Sequence, residues 1–372
     1  MKTTILLALI FAILTSWAVA QPVRIDSGTI NGARYKILFP TNWKSKLVMY
    51  AHGYEFMNSP SAIDNPNFAQ RVAPFLERGY AVAASAYRQQ GYALPEGIED
   101  TEALRKHFVG KYGMPDTTYM AGESMGGGVS LGIMENFATH YKGALPLCPL
   151  SSRPYLQTRK EFDLLAVFNV LFPGLTSSLS DIVNNSANAQ PQPMNQVFMK
   201  VGPIQKGLTK DSLVARQLAQ QFDLKVKDLP FAVLFGEMVL RDLIRKSGGN
   251  PFDNTNTLYS GYPDDWMVNQ KVERFAASRK SFDFLQRYDR TGDISLPVVI
   301  LHTTYDQLIP AKMAITNYEN MVRQRNKEQF MVVKYTNGQG HCQFTPQQTG
   351  AAFDTLRQWV STGKRPKPGP IE

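Results

Sequence analysis

Residues Thr117 to Gly128 read TTYMAGESMGGG, and within them Gly122-Glu123-Ser124-Met125-Gly126 fits the pattern G-x-S-x-G of a nucleophile elbow. The apolar run before the serine, Thr117 to Ala121, predicts a buried strand. Val129 to His140 after it has the apolar spacing of a helix. A serine on a sharp strand-to-helix turn stands at the positive end of the helix. Gly122 and Gly126 suit a turn in which any side chain would strike the neighbouring strand or helix. Gly and Ser are common enough that three fixed positions match by chance in roughly one chain in ten of this size, so context has to carry the reading.

The strands and helices around this turn alternate. Val23 to Thr29 and Ala33 to Leu38 flank Ile30-Asn31-Gly32 as a hairpin, and Lys46 to Ala51 predicts a buried strand running into His52-Gly53-Tyr54. Phe68 to Arg78 and Gly97 to Tyr112 have helical spacing on either side of a strand at Tyr80 to Ala86. Ala144 to Leu147 is a strand leading to Cys148-Pro149. The same rhythm returns with Leu296 to His302, a helix over Ala311 to Gln324, a strand over Gln329 to Tyr335 and a helix over Gln347 to Val360. Such alternation predicts an α/β fold with a mostly parallel central sheet and helices on both faces. Residues 21–150 and 294–362 form that core.

Residues 151–293 break the rhythm. They carry amphipathic stretches at Phe162 to Leu171, Asp211 to Phe222 and Val272 to Tyr288, joined by Pro- and Asn-rich connections. A segment this long has structure of its own and reads as a helical cap or lid inserted into the core. Residues 363–372, with Lys364-Arg365-Pro366-Lys367-Pro368, read as a disordered basic tail.

The first twenty residues combine Lys2, an apolar run from Ile5 to Trp17 and the A-x-A site Ala18-Val19-Ala20. They predict a secretory signal peptide cleaved before Gln21, and with it a secreted or periplasmic protein. No later stretch is apolar enough to span a bilayer. The net charge of +9 is spread along the chain without a zinc-finger or basic-aromatic motif, which argues against a nucleic-acid partner. The chain has two cysteines, Cys148 and Cys342, neither in a C-x-x-C pair, so neither a metal site nor a cofactor is expected.

A serine hydroxyl needs a base within hydrogen-bond reach and an acid to orient that base. Of the five histidines, His52, His107, His140 and His302 sit at strand ends or in helices, as packed or surface histidines do. His341 instead follows a strand in the loop Asn337-Gly338-Gln339-Gly340, where glycines leave room for the ring. Asp306, just after the strand Leu296 to His302, is the candidate acid, with Asp289 and Asp293 as alternatives. The order Ser124, Asp306, His341 differs from the orders of the chymotrypsin and subtilisin triads. Oxyanion donors are then the backbone N–H of Met125 and of Tyr54.

As a set, His52-Gly53-Tyr54, the elbow, Asp306 and His341 resemble the α/β-hydrolase superfamily, matched over Lys46 to Leu150 and Leu296 to Val360. The resemblance implies the α/β-hydrolase fold and a Ser-His-Asp hydrolase with a helical lid. The short His-Gly-x segment is similar to that of secreted esterases and of lysophospholipase-like or prolyl-oligopeptidase-like members. A carboxylesterase acting on lipid or aromatic esters is the leading expectation. A peptidase and a non-catalytic binding protein on the same fold are the alternatives. Phe168, Phe172, Phe198, Phe231, Tyr259, Tyr262 and Trp266 are candidates to line an acyl pocket. Cys148 and Cys342 fall at one edge of the sheet, where a disulfide between them is a further candidate.

Overall fold

The computed structural model describes residues 24–184 and 189–371, so the signal-peptide expectation lies outside the described residues. Nine strands form one sheet: β1 (Arg24–Ile30), β2 (Ala33–Phe39), β3 (Lys46–Ala51), β4 (Ala81–Ser85), β5 (Thr117–Glu123), β6 (Ala144–Leu147), β7 (Val298–Tyr305), β8 (Met331–Gln339) and β9 (Gly369–Pro370), in the spatial order β1-β2-β4-β3-β5-β6-β7-β8-β9. The β1–β2 hairpin and its junction with β4 are antiparallel, and every pairing from β4 to β9 is parallel.

The core helices are α1 (Phe68–Leu76), α2 (Leu94–Tyr112), α3 (Met125–Asn136), α12 (Ala311–Gln324) and α13 (Pro346–Thr362). The inner positions of the central strands are buried and mostly apolar because both sheet faces are covered. On β3, Leu47, Met49 and Ala51 pack with the α2 and α3 residues Ile98, Leu104 and Val129. Val48 and Tyr50 point the other way, onto Phe75 of α1 and Phe353 of α13.

Between β6 and β7 the described residues form eight helices: α4 (Pro154–Leu171), α5 (Leu179–Val183), α6 (Met194–Met199), α7 (Val201–Lys210), α8 (Ser212–Gln221), α9 (Leu229–Ser247), α10 (Asp265–Lys271) and α11 (Arg279–Leu285). Sequence reading missed α9, although Leu229, Ala232, Val233, Gly236, Leu240, Leu243 and Ile244 mark a buried stripe and Gly248 closes the helix at φ 79°. Of the expected Val272 to Tyr288 helix only α11 forms, because Ser278 caps a new start by accepting from the Ser281 N–H.

The tail differs from expectation. After Gly363 the chain returns along β8, Arg365 donates to Met331 O at 2.7 Å, and the Ile371 N–H donates to Tyr335 O at 2.8 Å. The open edge of β8 supplies those partners, which composition alone does not reveal. Among the described residues, no helix is long and apolar enough to cross a membrane.

Candidate active site

Register brings the chemistry to one edge. Ala51 pairs with Gly122, Glu123 with Leu147 and Leu147 with Leu301, so β3, β5, β6 and β7 end side by side. Ser124 sits in the turn between β5 and α3 at φ 57°, ψ −122°. That conformation costs about 1–3 kcal/mol for a non-glycine residue and is held by its surroundings. The Ser124 N–H donates to Leu147 O at 2.9 Å, and Ser124 O accepts from Gly128 and Leu150 N–H groups at 3.1 and 3.0 Å.

The elbow glycines are required by close approach. A Cβ on Gly122 would strike the Gly126 carbonyl, and one on Gly126 would strike the Ala51 carbonyl. Both obstacles are backbone and cannot swing aside. Gly126→Ala is therefore expected to cost about 3 kcal/mol, read as a lowered midpoint in urea unfolding. Gly53 is placed for a related reason: a Cβ there would lie 3.2 Å from Ser124 Cβ, so glycine lets the β3 loop lie against the serine.

The structure brings Ser124, His341 and Asp306 into one hydrogen-bonded line. His341 Nε2 lies 2.8 Å from Ser124 Oγ, and His341 Nδ1 lies 2.7 Å from Asp306 Oδ2. Asp306 follows β7, which runs three residues beyond its expected end. Its other oxygen, Oδ1, accepts the N–H groups of Leu308 and Ile309 at 2.9 and 2.8 Å. Burial pushes the Asp306 carboxyl up, but His341 and the Ile309 N–H outweigh it and hold the group below its ordinary value. The histidine loop is tied down by Gln307, whose Oε1 accepts the His341 N–H at 2.9 Å.

The remaining candidates separate from this line. Asp289 is 3.6 Å from Arg153, and Asp293 pairs with Lys327 at 3.7 Å; neither is a partner of His341. His52 is buried, stacks on Tyr87 at 3.9 Å between centroids and donates to Gly53 O, and burial holds it below its ordinary value. His302 donates to Thr303 O from a buried position, and His107 meets Tyr35. Met125 and Tyr54 flank Ser124, and the Tyr54 ring packs against Phe56 and Phe235. Met125 opens α3, where its N–H has no intrahelical acceptor.

Cys148 and Cys342 form a disulfide with Cα atoms 5.4 Å apart. It ties the end of β6 to the residue after His341, and both cysteines join Ser124 in the left-handed region at φ 40° and 54°. Among the described residues, the one cluster with metal-ligand composition is Cys148, His341 and Cys342. Its sulfurs are bonded to each other and its imidazole is engaged by Ser124 and Asp306, so it is no cradle for an ion. The bridge spans 194 residues, a separation at which chain-entropy reasoning predicts a contribution of up to about 5 kcal/mol. The Cys148→Ala/Cys342→Ala variant is expected to lose about 2–5 kcal/mol in denaturant titration, and the wild type to show the same loss under reductant.

Two spaces meet at Ser124. One is an open cleft of about 560 Å³ lined by Ser124, His341, Tyr54, Phe56, Phe231, Phe235 and Phe344, with the Arg71–Glu123 ion pair on its polar side. The other is a small pocket of about 50 Å³ lined by Ser124, Met125, Tyr54, Tyr92, Leu150, Gln157, Glu161 and Phe235, among others. Of the seven aromatic residues expected to line a pocket, Phe231 does so in the cleft. Phe168 and Phe172 are core of the helical segment. Tyr259 and Tyr262 are buried there too, with the Tyr259 hydroxyl on Asp163, while Phe198 and Trp266 face solvent. Sequence reading missed Phe235, one turn beyond Phe231 on α9.

No family model matches the chain. Among curated proteins it is similar to an o-phthalyl amidase of Xanthobacter agilis, at 22% identity over 407 aligned positions covering 91% of this chain and 88% of that protein. Among solved structures it superposes on an esterase of Pyrococcus furiosus with a TM-score of 0.50 at 14% identity, covering 92% of each chain. The fold is that of the α/β-hydrolases. It also superposes on Est1E of Butyrivibrio proteoclasticus, solved with ferulic acid bound, with a TM-score of 0.48 at 12% identity, covering 91% of this chain and 100% of that one. The loops that leave the ends of β3, β5, β7 and β8 bear Tyr54, Ser124, Asp306 and His341.

Proposed function

We propose that this protein is a serine hydrolase that cleaves carboxylic esters through an acyl-enzyme on Ser124. The observation that carries the reading is the continuous line from Ser124 Oγ through His341 to Asp306 at 2.8 and 2.7 Å. His341 Nε2 takes the hydroxyl proton as Oγ attacks the ester carbonyl carbon. Asp306 holds the proton on Nδ1 and stabilises the imidazolium that forms. The carbonyl oxygen gains charge between the N–H groups of Met125 and Tyr54, each worth about 3 kcal/mol in the transition state. Collapse expels the alcohol, which receives its proton from His341. Water then repeats the sequence on the acyl-enzyme and releases the acid.

This proton bookkeeping orients the substrate. The leaving group must lie beside His341, and His341 lines the large cleft and not the small pocket. The alcohol portion therefore occupies the cleft among Phe56, Phe231, Phe235 and Phe344, and the acyl portion enters the small pocket behind Ser124 and Met125. Short acyl chains on aromatic alcohols fit best. The kcat/KM of p-nitrophenyl octanoate is expected to fall about 100-fold or more below that of the propionate, because added methylenes meet a filled wall.

Amide cleavage is the second reading, favoured by the similarity to an amidase. It uses the same groups, with His341 protonating a leaving amine. The assay series on p-nitrophenyl esters and matching anilides separates the two, and a fluorophosphonate tests both against a binding protein. Covalent labelling of one site, mapped to Ser124 by mass spectrometry, is the expected result. A folded protein that stays unlabelled and hydrolyses neither series would overturn the hydrolase reading. The helical segment 151–293 serves in this reading as the lid, supplying the pocket wall from α4 and α9. The disulfide supports folding in an oxidising compartment, in keeping with export and cleavage before Gln21. N-terminal sequencing of protein recovered outside the cytoplasm is the check, and a start at Met1 there would refute it.

A further inference from the structure

The small acyl pocket has a polar floor that ester hydrolysis does not need. Glu161 and Gln157 lie one turn apart on α4, are 5% and 4% exposed, and both line the space behind Ser124. Glu161 Oε1 is 3.2 Å from Lys160 Nζ, but Glu161 Oε2 is buried without a partner. Gln157 Nε2 donates to Leu308 O at 3.2 Å, which sets the amide's orientation and leaves Oε1 buried without a partner too. An unpaired buried acceptor costs about 1–3 kcal/mol, more for a charged one, and here two occur in a single pocket. Opposite Glu161, α9 carries Gly236, where a Cβ would come to 3.2 Å from Oε2, so glycine lets α9 lie close over the carboxylate without giving it a hydrogen-bond donor. Burial outweighs the pull of the neighbouring Lys160 and holds the Glu161 carboxyl above its ordinary value.

We infer that this pocket selects acyl groups carrying a hydroxyl close to the carbonyl, with Glu161 Oε2 and Gln157 Oε1 accepting its proton. The inference rests on the hydrolase reading above and adds to it the class of acid released. Three features fix the chemistry of the guest. The acceptors require a donor. Lys160 already balances the charge of Glu161, so the guest need bring a hydrogen bond and no positive charge. The volume of about 50 Å³ holds roughly two water-sized groups, which limits the acyl portion to the size of a glycolyl or lactyl unit.

The test compares phenyl glycolate with phenyl propionate, which has a methyl group in place of the hydroxyl, and with phenyl fluoroacetate, which has the electronegative atom without the proton. Each rate is divided by the hydroxide-catalysed rate of the same ester, to remove intrinsic reactivity. The expected result is a normalised kcat/KM for the glycolate about tenfold or more above both analogues. Gln157→Leu is expected to reduce that preference, and Lys160→Met/Glu161→Met, which removes the ion pair together, to abolish it, with a cooperative melting curve as the sign of a folded protein. A wild-type preference near one overturns the subsite and leaves the hydrolase reading standing. So does a preference that survives in both variants. Absence of Ser124-dependent turnover of all three esters overturns the hydrolase reading and the subsite with it.

Discussion

Ser124→Ala is expected to lower kcat on the best ester by about 10⁶-fold while leaving the fold intact. The size follows from what the hydroxyl does in the proposed cycle. Without Oγ there is no acyl-enzyme, and His341 loses the proton donor 2.8 Å away that makes it a general base. What remains is water attacking a carbonyl polarised by the Tyr54 and Met125 N–H groups, which sustains a residual rate about 10³ above solution. Stability should hardly change. The elbow strain belongs to the backbone at φ 57°, alanine shares it, and the serine side chain has no other hydrogen-bond partner than His341 among the described residues. KM should therefore persist within a few-fold. The measurement is steady-state kinetics on protein freed of wild-type contamination by prior fluorophosphonate titration, with a melting curve beside it. A variant that kept even a hundredth of the wild-type kcat would remove Ser124 from the chemistry.

The reasons this serine was legible are local. Ser124 needs glycines two residues away on either side because backbone carbonyls of Ala51 and Gly126 crowd the turn, and such a need is written into the sequence. His341 follows Gly340 at φ 141°, a conformation that glycine permits, and Asp306 closes a strand whose apolar run is unmistakable. Helix α9 was legible and overlooked: its stripe of buried residues has ordinary helical spacing. Glu161 is different. On α4 the sequence PYLQTRKEFDLL places it between Lys160 and Phe162, where an acidic residue reads as a solvated helix face. Its burial comes from α9 crossing α4 at Gly236, a long-range contact that no local period encodes. The same holds for the tail, whose Lys and Pro content signals disorder until the free edge of β8 offers backbone partners. Chemistry set by backbone sterics is thus readable in one dimension, whereas chemistry set by which helix covers which waits for the fold.

Asp306→Asn is expected to lower kcat about 10⁴-fold with the fold kept, and the geometry says why so conservative a change should matter. The carboxylate uses its two oxygens differently. Oδ1 accepts two backbone N–H groups, from Leu308 and Ile309, and asparagine can keep those by presenting its amide oxygen there. The amide NH₂ must then occupy the place of Oδ2, 2.7 Å from His341 Nδ1. Two donors cannot face each other, so the imidazole moves its proton to Nε2, which is the atom that has to accept from Ser124. The site would be complete in outline and hold the wrong tautomer. Fluorophosphonate labelling should slow in parallel with kcat, since both need Ser124 activated. The Asp306 carboxyl is held below its ordinary value in the fold, so it stabilises the protein above the unfolded carboxylate range and that contribution is lost as pH falls through the folded value. Asp306→Asn should accordingly flatten the acid limb of the stability curve. Asp289→Asn is the control: its carboxylate faces Arg153 at 3.6 Å and has no contact with His341, so its kcat should stay within about threefold of wild type. The reverse outcome, activity lost at Asp289 and kept at Asp306, would mean that the base is oriented from the helical segment and that the line through Ser124 and His341 ends at a different acid.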